Sequence, residues 1–111
     1  MAFHEQPCTP CAGGLPPLSE AAARGLAVQV PDWQIADGAT RLVRRFPVPD
    51  YAQALAFVTA LSAIAEAEGH HPDVCFGWGY VTVSMQTHAI KGLHQNDFLL
   101  AAKIDRLAGA R

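Results

Sequence analysis

The chain is 111 residues long, half of them hydrophobic and 16% charged, with a formal net charge of −2. That is enough for one domain with a small core. It argues against nucleic-acid binding, which needs a clustered basic excess, and no run of about 18 apolar residues offers a membrane span. The opening Met1-Ala2-Phe3-His4-Glu5-Gln6-Pro7 lacks the basic-then-apolar pattern of a secretory signal, so a cytoplasmic location is expected. Cys8, Cys11 and Cys75 make an odd number, a poor disulfide framework.

Residues 1–17 are rich in Pro, Gly and Cys and carry no periodicity, which predicts a flexible N-terminal arm ahead of a single domain over 18–111. The arm holds Cys8-Thr9-Pro10-Cys11 with His4 upstream. Cys-x-x-Cys can be half of a zinc site or a redox pair. No second close Cys/His pair completes the zinc set, so two plain thiols are the favoured reading.

Ser19 is positioned to cap a short helix over Glu20–Leu26, with Gly25 near its end. Two alternating stretches follow, Trp33–Ile35 and Thr40–Phe46, and Asp37-Gly38 between them predicts a two-residue hairpin. Leu42 and Phe46 then share a face. Arg44 and Arg45 suit an anion, but a solvated strand edge is the commoner use of such a pair.

Asp50 caps the main helix, with Gln53 at the capping-box position. Ala54, Phe57, Val58, Leu61, Ile64 and Ala65 form the stripe of a helix lying on a core. Gly69 fits the left-handed position after it, and Pro72 forbids continuation. Asp73–Phe76 and Tyr80–Met85 read as strands around Gly77-Trp78-Gly79, with Val81, Val83 and Met85 facing the core. A last helix is expected over Gln95–Leu107, with the stripe Leu100, Ala101, Ile104 and Leu107. Phe98 and Ala102 fall off that stripe, which points to a second buried surface and, with a small core and sheet edges to cover, to self-association. The fold expected is α+β: a four-stranded antiparallel sheet with three helices packed on one face.

The chemistry-bearing residues collect at element ends. Glu66 lies on the last turn of the main helix, His70 and His71 just beyond it, His88 after the last strand and Asp97 at the start of the final helix. Histidine titrates near neutrality and serves as acid or base. A lone histidine is usually a surface or satisfied core residue; three at element ends beside acids suggest one cleft. Glu66, four residues before His70, is expected to orient that imidazole if the helix persists. Adjacent histidines in an extended segment point apart, so no shared metal ion is expected.

His70-His71-Pro72, Thr87-His88, Gly92-Leu93 and Asn96-Asp97-Phe98, in that spacing, resemble the pterin-4a-carbinolamine dehydratases. The similarity runs from Trp33 to Asp105 and includes Asp37-Gly38, Phe46, Phe57 and Ala101–Asp105. It implies a four-stranded antiparallel sheet with three helices, assembled as a homodimer or homotetramer. It implies dehydration of 4a-hydroxytetrahydropterin to quinonoid dihydropterin without cofactor or metal, in tetrahydropterin recycling for aromatic amino-acid hydroxylases such as phenylalanine hydroxylase. By the same resemblance His70, His71 and His88 are the active-site histidines, with His70 and His88 moving protons and His71 holding the pterin. Glu66 and Asp97 match the supporting acids. His94 departs from the Ser or Thr that often caps the last helix, and Val74 from a larger wall residue. Relatives on this scaffold also serve as partner proteins, so a non-catalytic binding or assembly role is the alternative. A small metal protein using His4, Cys8 and Cys11 is a third reading.

Overall fold

Three helices and four strands follow in the order α1 (Glu20–Ala27), β1 (Gln34–Ala36), β2 (Arg41–Pro47), α2 (Tyr51–Glu68), β3 (Asp73–Gly77), β4 (Tyr80–Met85) and α3 (Gln95–Gly109). Short 3-10 turns at Phe3–Glu5 and His88–Ile90 precede α1 and α3. The structure, a computed structural model, describes residues 2–9 and 16–109. The sheet is antiparallel throughout in the order β1-β2-β4-β3, so the two central strands are β2 and β4.

Period-two alternation decides which face is buried. Leu42 and Phe46 of β2 and Val81, Val83 and Met85 of β4 are sealed from solvent. They join Ala23 of α1, Ala54, Phe57 and Leu61 of α2, and Leu100 and Ile104 of α3 in one cluster. The helices therefore lie over that face. Phe46 meets Phe57 and Trp33 edge-on, with centroids 4.9 Å and 5.9 Å away. Burying one such side chain stabilises by about 1.5–3 kcal/mol.

A polar staple also ties the residue before β1, β2 and α3. Asp105 Oδ1 accepts from Trp33 Nε1 at 2.8 Å and Arg44 at 2.6 Å. Burial raises the Asp105 carboxyl above its usual range, against the opposing hydrogen bonds and the Arg44 charge. A partly exposed pair is worth roughly 0–1 kcal/mol, so apolar burial holds α3 on the sheet and the staple fixes its placement. This corrects the expected solvated edge. β2 is central, Arg44 is engaged by Asp105 and Asp32, and Arg45 lies over the Tyr80 ring.

Two further expectations change. The β1–β2 connection has four residues, since Ala36 pairs with Arg41. Asp37, Gly38 and Ala39 all adopt positive φ, and Thr40 closes the loop by donating its N–H to Ala36 O and its hydroxyl to Asp37 O. Phe98 is fully buried within this one chain, so it presents no free surface. The N-terminal 3-10 turn also packs on α3, with Phe3 and Cys8 against the core.

Candidate active site

The end of α2 sets the first two histidines. Asp50 caps its start by accepting from Gln53 N at 2.8 Å. At the other end Gly69, at φ 66°, turns left-handed, and its N–H and that of His70 close on the last carbonyls. A side chain at this φ would cost about 1–2 kcal/mol. The helix thus stops before His70, and the ring leaves the α2 surface.

His70 points to α3. Its Nε2 lies 2.6 Å from Asp97 Oδ1. Asp97 is fully buried, and its other oxygen accepts from the Thr87 hydroxyl at 2.8 Å and from His94 N at 2.9 Å. Every other contact of that carboxyl is a donor, so the consistent tautomer carries the His70 proton on Nε2 and leaves Nδ1 to exchange protons. Asp97 also acts as a helix cap, in the return arm of a capping box. His94 supplies the forward arm through its ring: Nδ1 accepts from Asn96 N at 3.1 Å. An imidazole does here what Ser or Thr would otherwise do.

Glu66 does not reach His70. Its Oε1 lies 2.6 Å from His71 Nε2, and both side chains are mostly exposed. The expected i, i+4 pairing required a helix through residue 70, and Gly69 ends it.

His88 opens the short 3-10 turn after β4, whose ends are joined by the bridge between Thr87 and Gly92. It is exposed on a pocket of about 460 Å³ that His70 and Thr87 also line, with Glu68, Asn96, Cys8 and Thr9. His70 and His88 thus share one pocket, Asp97 stands behind His70, and the His71–Glu66 pair is not part of the lining. A second hollow, about 520 Å³ beside α1 and β1, is lined by Val28 and Trp33 with Arg24 as its one charged group, and offers no acid–base pair. Among the described residues no three His, Cys, Asp or Glu side chains are grouped to hold a metal ion. Cys11 lies outside the described residues. Burial, with the Glu68 charge next, pushes the Cys8 thiol up to about 11, so it is a protonated thiol at neutral pH.

Sequence reasoning did not assign Thr87, Asn96, Glu68, Cys8 or Thr9 to the site. Thr87 had a local signal, its place beside His88. Asn96 had the same signal beside Asp97, and Glu68, Cys8 and Thr9 join the site only through tertiary contacts.

The family described as pterin 4 alpha carbinolamine dehydratase matches residues 16–107. A protein of Cupriavidus pinatubonensis, provisionally named pterin-4-alpha-carbinolamine dehydratase 1, is 54% identical over 96% of this chain and 91% of its own. One from Azoarcus, provisionally given the same activity, is 54% identical over 92% of this chain and 87% of its own. Among solved structures, a transcriptional coactivator/pterin dehydratase from Brucella melitensis superposes with a TM-score of 0.78 at 28% identity, covering 84% of this chain and 99% of that one. A pterin dehydratase-like protein identified as a RuBisCO assembly factor in the alpha-carboxysome gives 0.61 at 33% identity, over 70% of this chain and 90% of its own. With the family pattern spanning the whole sheet and all three helices, and with relatives of this identity, the chain belongs to the pterin 4 alpha carbinolamine dehydratase family.

Proposed function

We propose that the protein dehydrates 4a-hydroxytetrahydropterin to quinonoid dihydropterin, with His70 and His88 as the proton-transfer pair. The observation that carries this is two histidines from different elements on one pocket, one of them backed by a buried carboxylate. The reaction removes OH from C4a and H from N5. The N5 lone pair expels the hydroxyl as one histidine protonates it, and the other takes the N5 proton, so water leaves and charge balances. His70 Nδ1 suits one role because Asp97 fixes the ring through Nε2, and exposed His88 suits the other. Positioned proton transfer is commonly worth about 10²–10⁴-fold. By this reading His71, exposed and paired with Glu66, contributes binding rather than proton transfer.

The test is direct. Quinonoid dihydropterin should form from freshly generated 4a-hydroxypterin faster with the protein than without it, and chelator treatment should leave that rate unchanged. Loss of activity on chelation, restored by zinc, would overturn the metal-free mechanism. In the cytoplasmic setting we propose, the product returns to tetrahydropterin for an aromatic amino-acid hydroxylase. Sustained turnover in a mixture with a phenylalanine hydroxylase checks that link.

A binding or assembly role is the second reading, favoured by the relative described as a RuBisCO assembly factor. A folded protein that fails to accelerate the dehydration would select it.

We also propose a homodimer or homotetramer. Tyr51, Leu55 and Trp78 are half or more exposed, and β1 and β3 are open edges. Light scattering at micromolar concentration should give a mass of at least two chains, and a monomer would refute it.

A further inference from the structure

One side of the histidine pocket is built from chain that precedes the family match, which begins at residue 16. Residues 2–9 are fastened to α3 and to the end of α2. Lys103 Nζ donates to His4 O at 3.0 Å, near the middle of α3. Glu68 Oε1 accepts from Cys8 N at 2.7 Å. Asn96, only 2% exposed, clamps the next residue from both sides: its Oδ1 accepts from Thr9 N at 3.0 Å and its Nδ2 donates to Thr9 O at 2.6 Å. Asn96 neighbours Asp97, so the residue that holds this segment is adjacent to the one that orients His70. Cys8 and Thr9 then stand on the pocket with His70 and His88.

We propose that residues 2–9 are a strap forming part of the substrate-binding surface, with Cys8 and Thr9 as binding and specificity determinants. The proposal rests on the pterin reading of the pocket. The strap presents a neutral thiol and the short side chain of Thr9, and it occupies Glu68 with a backbone N–H. Of the strap only Cys8 and Thr9 line the pocket, and neither supplies it with an acid or base at neutral pH. Its effect falls on binding, which is alike in the ground and transition states, and so on KM rather than kcat.

The experiment uses the full chain with Cys11→Ser and Cys75→Ser, leaving Cys8 as the single thiol. Its alkylation by iodoacetamide is followed with and without saturating tetrahydropterin, which binds but has no hydroxyl to lose. The bound pterin should slow alkylation about fivefold or more. Thr9→Pro removes the N–H given to Asn96 and touches none of the proton-transfer groups. It should speed alkylation without pterin and raise KM about fivefold, with kcat within about twofold of the parent. Deletion of residues 2–9 should reproduce the KM change, which guards against a local misfit of the proline. Unchanged Cys8 alkylation under pterin, in a protein that still dehydrates, would overturn the strap alone. An unchanged KM in both variants would do the same. A parent that neither binds pterin nor accelerates dehydration would overturn the strap and the pterin reading together.

Discussion

Replacing His70 and His88 together by alanine should bring the dehydration rate down to the spontaneous one. Each ring sits on the shared pocket, and each arrives from a different element: His70 from the turn after α2, His88 from the turn after β4. Neither replaces the other geometrically, so each single change should lower kcat by about 10²-fold or more, within the range for one positioned proton-transfer group. The double change should not multiply those losses, because groups acting in one step are not additive. The fold should survive, since His88 is exposed and the core cluster contains neither residue. His71→Ala is the control: its ring is solvent-facing and paired with exposed Glu66, so KM should rise and kcat stay close to the parent's. Stopped-flow absorbance of the quinonoid product, with circular dichroism on the same samples, measures all of this. A folded double variant with near-parental kcat would refute the acid–base assignment.

Asp97→Asn should keep the helix and lose the chemistry. Asn is nearly isosteric, and its Oδ1 can still accept from Thr87 and His94 N, so the buried cap survives. The Nδ2 group would then face His70 Nε2 as a donor. That contact is favourable only if Nε2 carries the lone pair, which moves the neutral ring's proton to Nδ1. The ring would sit in its old place in the wrong tautomer. A tautomer error behind a catalytic histidine can cost about 10⁴-fold, the figure for the equivalent exchange in a serine protease, so a kcat loss of about 10²–10⁴-fold is expected here. Asp97→Ala behaves differently. It leaves the Thr87 hydroxyl and His94 N–H without their acceptor, at about 1–3 kcal/mol for each buried group. Thermal unfolding should therefore separate the two variants, with Asn near the parent and Ala well below. An Asn variant with parental kcat and an unchanged pH–rate profile would show that Asp97 only caps the helix.

What could be read from the sequence was what neighbours along the chain decide. The α2 stripe, the Asp50 cap, the Gly69 stop and the Val81, Val83, Met85 alternation each depend on residues within one element, and each stands in the structure. The misreadings involve either one turn of backbone or a distant partner. Asp37-Gly38 is a two-residue hairpin signal, yet the left-handed run extends to Ala39, which has no sequence signature for it. The Glu66–His70 pairing assumed helical spacing for two residues too many, and a single left-handed glycine gave Glu66 to His71. Phe98, off the main stripe, pointed to a second buried surface and to self-association; it is buried, but within this one chain, and the N-terminal segment that packs on α3 carries no periodicity to announce it. In the site, the histidines were legible as side chains gathered at element ends. Their division into an Asp97-backed ring and a Glu66-paired ring was not, because it depends on how α3 meets the turn after α2.

The clamp around Asn96 and Asp97 also fixes when the pocket can exist. His70 and its carboxylate are separated by 27 residues, and Thr9 and its amide by 87. On the ribosome, His70 emerges before the carboxylate that orients it. A nascent chain that ends short of α3 has the sheet strands and the rings but no fixed tautomer and no seat for its N-terminal segment. The carboxylate-held ring of His70 is thus acquired only in the step that docks α3.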